Sequence, residues 1–432
     1  MKKYELAANH ENIINTMRSD CIDRNHELSD FMVMLDTIVG SINISLDSKW
    51  GSGKTFFVKQ IAILLDYFRK KNFGEPIDVE LEEIINHNSH LKNIVFEHTY
   101  IPIYYDAWMY DDHPNPILSL IYAIVSGGYV QDDPTKKHNL IQKLSVVASA
   151  VAALKGINID IEKLLSPHTS CLENIGSAEE IKIALNNIFD DLITEKADKL
   201  VVIIDELDRC KPDYAVGLLE KIKHYINDDR VIFIFSTNKS QLIHTIKKFY
   251  GQDFNASLYL NRFFDFQFSL CKINTIRYLD FIDNGINIME WKQKIACDIG
   301  KYFDFSLREY NVYFSKLKNL GDANIEYSET GYLYQVFMPL IWALSIVDVE
   351  KEHRFLTGEM QFEIMEIISN APVLNRYAMG FISNGNDSEK AAGIRNLYFY
   401  MFGSQTTESF STDKIQILAS DRDDFFRKLA IL

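Results

Sequence analysis

Six consecutive residues, Trp50-Gly51-Ser52-Gly53-Lys54-Thr55, constrain this chain more than any other feature. The segment before them, Ser41-Ile42-Asn43-Ile44-Ser45-Leu46, alternates polar and apolar side chains and is rich in β-branched residues, the period of a strand. After them Phe57, Ile61, Leu64 and Phe68 fall at helical spacing, Arg69, Lys70 and Lys71 suit the C-terminal end of a helix dipole, and Gly74 can stop it. A strand that turns through glycines into a helix offers a polyphosphate backbone N–H groups, a helix N-terminus and a flexible cation in one place. Residues Trp50 to Phe56 are therefore the expected nucleotide-binding stretch. Gly51 and Gly53 let the backbone close around phosphate without a Cβ in the way, Lys54 reaches the β- and γ-phosphates, and the Thr55 hydroxyl is a ligand for Mg²⁺. Ser48 stands where the pattern G-x-x-x-x-G-K-[ST] has its first glycine. Taken alone, the stretch also reads as a plain glycine turn between strand and helix.

A second constellation decides between these readings. Leu200-Val201-Val202-Ile203-Ile204 is short and continuously apolar, as a parallel strand covered on both faces should be, and it runs into Asp205-Glu206. A carboxylate at such a strand end can hold Mg²⁺, the role expected of Asp205, and its neighbour Glu206 is the candidate for polarising an attacking water. Val231-Ile232-Phe233-Ile234-Phe235 repeats the buried-strand pattern and ends in Ser236-Thr237-Asn238. Asn238 is either a polar contact between γ-phosphate and acidic pair, counted here with the catalytic candidates, or the N-cap of the next helix. Asn238-Lys239-Ser240-Gln241 approaches a guanine-reading N-K-x-D, but Gln241 cannot pair with N1–H and N2–H as a carboxylate does, so ATP is the expected nucleotide.

Further strands are expected at Ile101 to Tyr105 and at Phe264 to Leu270, and helices at Ile117 to Val125 and from Asp213. The stretch 127–177 reads as an insertion into the core, with an alanine-rich helix near Ile141 to Leu154. Beyond Asn274 the periodicity is helical throughout. With 432 residues, more than one core of about 250–300 residues holds, two parts follow: 1–273, an α/β core, and 274–432, an α-helical domain.

A net charge of −15 argues against a broad electrostatic footprint for nucleic acid or anionic lipid. The five cysteines form no CxxC pair, so neither a disulfide framework nor a zinc site is expected, which suits a cytoplasmic protein. The start of the chain lacks the apolar stretch of a secretory signal, and Leu144 to Leu154 and Tyr332 to Val349 read as buried or amphipathic helices.

The motifs together resemble the KAP family of P-loop NTPases: Trp50-Gly51-Ser52-Gly53-Lys54-Thr55, then Ala107-Trp108-Met109-Tyr110 with Pro116 downstream, then Ile204-Asp205-Glu206-Leu207-Asp208-Arg209-Cys210, in family order. The resemblance covers about residues 10 to 320. It implies a three-layer α/β domain with a mainly parallel sheet and an added central strand, MgATP as ligand, and a catalytic carboxylate beside the Mg²⁺ aspartate, usually aspartate and here Glu206. It further implies that Arg308, in the capping-box stretch Ser306-Leu307-Arg308-Glu309, senses the γ-phosphate. Arg209 and Arg262 are each either an arginine finger or a structural ion-pair partner. Many relatives carry transmembrane hairpins between the Trp108 and Asp205 motifs; only the short 144–154 apolar stretch lies there, so membrane association is not expected. Prokaryotic relatives include proteins that interfere with phage growth. The expected function is an ATP-driven conformational switch with a protein partner or effector, and a homo-oligomer is compatible with it. The alternative is a nucleotide-binding scaffold with little hydrolysis, which Ser48 favours; a kinase acting on a small acceptor ranks below both, since the acidic pair suits water as the acceptor.

Overall fold

The computed structural model describes residues 6–126, 143, 145, 147, 178–193, 197–283, 290–319, 329–404 and 408–429. Two compact units emerge, one of residues 8–272 and a second that begins at Ile273. The first runs α1 (His10–Ser19), α2 (Asn25–Asp36), β1 (Ile42–Asp47), α3 (Lys54–Phe73), α4 (Val79–His87), β2 (Tyr100–Asp106), α5 (Pro116–Ser126), α6 (Ala178–Ile193), β3 (Lys199–Asp205), α7 (Pro212–Tyr225), β4 (Val231–Thr237), α8 (Lys239–Tyr250), α9 (Ala256–Leu260) and β5 (Phe266–Ser269). The five strands form one parallel sheet in the order β2-β3-β4-β1-β5.

Strand period explains why β3 and β4 are apolar at nearly every position. Leu200, Val202 and Ile204 of β3 join Val231, Phe233 and Phe235 of β4 in a core with α5, α6 and α7. Val201, Ile203, Ile232 and Ile234 point to the opposite face and join a core built with α1 to α4. Each such side chain contributes roughly 1.5–3 kcal/mol by leaving water, and helices on both faces make every position count.

Register then sets the site. Asp106 of β2 lies beside Asp205 of β3, Asp205 beside Ser236 of β4, and Thr237 of β4 beside Asp47 of β1. The apolar runs thus end level with one another, in a row of polar side chains on strands about 4.8 Å apart. The carboxyl edge of a parallel sheet is where such folds receive ligands. The strand expected at Phe264 to Leu270 is shorter, Phe266–Ser269, because Phe264 is drawn into the core against the Phe235 ring.

The second unit contains α10 (Thr275–Asp283), α11 (Glu290–Tyr302), α12 (Leu307–Asn319), α13 (Glu329–Val347), α14 (Val349–Leu356), α15 (Glu363–Ser369), α16 (Pro372–Ile382), α17 (Asp387–Phe402), β6 (Ser409–Ser411), β7 (Gln416–Leu418) and α18 (Ala419–Leu429). One expectation is corrected here: this region is not helical throughout, since β6 and β7 pair as an antiparallel ribbon. Three-residue strands are too short to leave a period of two in the sequence, and buried Ile417 anchors the ribbon. The apolar stretch from Tyr332 forms most of α13 and is buried around Pro339. Among the described residues no helix is long and apolar enough to cross a membrane. The alanine-rich helix expected at 141–154 and the rest of the insertion lie outside the described residues, apart from Lys143, Ser145 and Val147, which are helical.

Candidate functional site

The loop between β1 and α3 is shaped by its glycines. Gly51 and Gly53 adopt φ of +74° and +91°, values that a side chain resists. Gly53 is the N-cap of α3, and no side chain caps that helix, so the first-turn amides of Lys54, Thr55 and Phe56 face the loop end of the sheet as an anion-receiving terminus. The Phe56 ring packs partly on the core of α1 to α4, which leaves its backbone amide as the part that could meet a phosphate. Lys54 is buried, and its ammonium donates to the Ser48 carbonyl at 2.5 Å and to the Lys49 carbonyl at 3.0 Å. Burial pushes its pKa down, while Asp208, Asp205, Glu206 and Asp47 pull it up. Ser48, in the place of the first glycine, donates its N–H to the Thr237 carbonyl at 3.3 Å, closing the loop onto β4.

Acidic groups face this cation from the neighbouring strands. The Asp205 carboxylate accepts from the Tyr104 hydroxyl at 2.9 Å and from the Glu206 N–H at 3.0 Å. Asp208 accepts from the indole N–H of Trp50, which ties the phosphate loop to the acidic motif, and burial raises its pKa. Glu206 has φ of +60°, a conformation that costs a non-glycine residue about 1–2 kcal/mol and is held only where the surroundings enforce it. Its carboxyl is pushed up to about 7, first by burial and then by Asp205, with Arg209 opposing and Asp208 and Asp106 adding to the rise.

Arg209 sits between two exposed tryptophans. Its guanidinium lies 6.0 Å from the Trp50 ring centre and 5.6 Å from that of Trp108, and its Nε is 2.7 Å from the Glu206 carboxylate. Of the two readings the sequence left open, the ion pair is the one present here. Arg262 follows α9, is exposed, and offers its carbonyl to Lys223.

The first unit therefore brings together Trp50, Gly51, Ser52, Gly53, Lys54, Thr55, Asp205 and Glu206 around the ends of β1 and β3. Asn238 arrives as the N-cap of α8: its side-chain oxygen accepts from Ser240 Oγ at 2.7 Å and from the Gln241 N–H at 3.4 Å, so that oxygen is occupied and the Asn238-to-Gln241 stretch is a helix start. Its backbone N–H reaches Asp208. Arg308 belongs to the second unit, as the second residue of α12; Ser306 and Glu309 make both halves of the expected capping box, at 2.6 and 3.4 Å. Sequence reasoning missed Tyr104, Asp106 and Asp208. Asp208 was legible as a third acid after β3; Tyr104 carries no local signal.

The residues fit a metal-bound polyphosphate. Ser52 Oγ, Ser236 Oγ and Thr237 Oγ1 are buried without a hydrogen-bond partner at this edge, and a buried hydroxyl left so is rare unless a ligand or water completes it. Among the described residues no group of three His, Cys, Asp or Glu forms a ready metal cage, but Mg²⁺ that arrives with phosphates needs only a hydroxyl and a carboxylate such as Thr55 and Asp205. In comparison with known proteins, the model of the KAP family P-loop domain matches residues 24–299. No curated protein matches the chain.

Proposed function

The chain belongs to the KAP family of P-loop NTPases, and from that premise we propose that it is a Mg²⁺-dependent ATPase whose hydrolysis step switches its conformation. The observation that carries this reading is Glu206: a strained, half-buried acid with its carboxyl pushed up to about 7, next to Asp205 and close to the Lys54 of the phosphate loop. An acid poised near the working pH is what general-base assistance to a water needs. Thr55 and Asp205 would hold a magnesium ion, whose chemistry there would be to offset the negative charge of the phosphates. Lys54 would leave the Ser48 and Lys49 carbonyls for the β- and γ-phosphates, and Glu206 would orient water in line with the γ-phosphorus. Loss of the γ-phosphate then releases whatever it had ordered, the usual output of such switches. ATP is preferred to GTP because Gln241 replaces the guanine-reading acid. The resemblance alone brings in Arg308 as γ-phosphate sensor, with Arg308→Ala expected to spare MgATP binding and slow turnover, and alone suggests a protein effector and a part in antiviral defence.

Phosphate release from MgATP and MgGTP by wild type, Lys54→Ala and Glu206→Gln tests the proposal. Release from MgATP by wild type only, with Glu206→Gln still binding the nucleotide, supports it. A second reading, a nucleotide-gated scaffold, is favoured by one observation: Arg209 engages the Glu206 carboxylate that should hold water. Bound but unhydrolysed MgATP in wild type would make that the better account.

A further inference from the structure

Arg24 and Glu27 are no part of the site described above, yet they reach it. Each side chain is 4% exposed, and the guanidinium Nε lies 3.4 Å from the Glu27 carboxylate. A buried cation is costly unless its donors are used. Arg24 spends them on backbone: Nη1 donates to the Ser52 carbonyl at 2.7 Å and Nη2 to the Cys271 carbonyl at 2.9 Å. Glu27 accepts the Cys271 N–H at 2.7 Å, so the pair grips both polar groups of that residue. The arginine is itself anchored, since Asp20 accepts the N–H groups of Arg24 and Asn25 at 2.9 and 3.0 Å.

Ser52 lies inside the phosphate loop, and a trans peptide is planar with its C=O and N–H opposed. Pinning the Ser52 carbonyl toward Arg24 turns the N–H of the same plane, that of Gly53, to the opposite side. Gly53 caps α3 with φ of +91° and no capping side chain, so its amide is one of the donors such a loop gives to a phosphate. Cys271, the other end of the grip, is followed by Lys272, the last residue of the first unit.

We propose that Arg24 is a positioning residue for nucleotide binding, setting the Ser52–Gly53 peptide in its phosphate-receiving orientation and linking that peptide to the segment through which the chain leaves the first unit. The inference rests on the nucleotide-binding reading above. Lysine would keep the charge but cannot span two carbonyls as the guanidinium fork does.

The test uses the full chain as wild type, Arg24→Lys, the double variant Arg24→Met/Glu27→Gln, which leaves no buried charge alone, and Lys54→Ala as reference. MgATP affinity, KM and kcat are measured at matched melting temperature. Both Arg24 variants should weaken MgATP affinity and raise KM about tenfold or more, the loss of one hydrogen bond to a charged group, with kcat at saturation within about twofold. Alkylation of the exposed Cys271 thiol, followed by mass spectrometry, should change with MgATP in wild type and not in the double variant at saturating nucleotide. If wild type binds MgATP and Arg24→Lys binds it equally well, or loses kcat with KM unchanged, the positioning role is overturned. A nucleotide response at Cys271 that survives in the double variant overturns the link. If wild type binds MgATP no better than Lys54→Ala, the nucleotide reading fails first and the inference falls with it.

Discussion

In the unit of residues 8–272 the buried charges Lys54, Asp205 and Asp208 gather where β1 and β3 end, whereas among the described residues of the helical unit the buried Lys292 ammonium lies over the Trp291 ring and several buried tyrosine hydroxyls close onto backbone carbonyls. Tyr313, Tyr332 and Tyr398 donate to the carbonyls of Pro339, Ala378 and Phe355 at 3.1, 2.8 and 2.9 Å. A hydroxyl so paired has little left to offer a ligand. The charges of the first unit are different: Lys54 is held by carbonyls and surrounded by carboxylates, an arrangement whose energy changes sharply when an anion or a cation arrives. One region is built to respond and the other to pack, and substitutions should separate them.

The largest effect is expected at Glu206. Glu206→Gln should lower the rate of phosphate release about 10²–10⁴-fold, the usual worth of a general base, and leave MgATP binding intact. A variant that turns over within tenfold of wild type would take the acid out of the chemistry. The counterpart in the helical unit is Phe337→Ala. Phe337 is fully buried against the rings of Phe355, Tyr398 and Phe402, and its loss should cost about 3–5 kcal/mol. Denaturant melts should show that loss while MgATP affinity stays at the wild-type value; a fall in affinity would mean that the packing region also serves the site.

A smaller effect tests the electrostatics directly. Burial raises the Glu206 carboxyl from its ordinary 4.5 to about 7 in the folded chain. Between these values the folded state keeps a proton that the unfolded chain has released, so the favourable neutral form contributes fully below pH 4.5 and its contribution is lost as pH rises through about 7. Glu206→Gln, permanently neutral, should therefore melt about 2–4 °C above wild type at pH 8, an effect of about 1 kcal/mol, and no higher at pH 4.5. Equal melting temperatures at pH 8 would show that the acid is not strained by its surroundings.

Much of this contrast was legible in the sequence, and the rest was not, for physical reasons. The apolar runs of β3 and β4 announce strands covered on both faces, and the β1 glycine loop announces its helix, because periodicity and glycine conformation are local properties. The place of β4 between β1 and β3 matches the added central strand that the family resemblance implied, although strand order is a long-range property that no single segment carries. Tyr104 on Asp205, Trp50 on Asp208 and Arg24 on Ser52 join residues 28 to 158 positions apart, and only the folded register makes them neighbours. Asn238 shows the opposite limit: its two local readings were equally open, and the hydrogen bonds to Ser240 and Gln241 show the cap.

The smallest effect expected is at Arg209, and it separates two accounts of the same residue. As the ion-pair partner of Glu206, with side-chain exposures of 27% and 20%, it should lower the acid's pKa only modestly, since pairs of this kind are worth about 0.2–1 kcal/mol. Arg209→Ala should then move the acid limb of the kcat–pH profile toward higher pH by about 0.1–0.7 unit, because a carboxyl relieved of a nearby cation holds its proton longer, and leave the alkaline plateau unchanged. Arg209→Lys, which keeps the charge, should restore most of the shift. An arginine acting on the γ-phosphate in the transition state would instead be worth about 10³–10⁵ in rate. A collapse of the plateau in Arg209→Ala would therefore make the pairing with Glu206 a resting arrangement that the residue leaves in order to act.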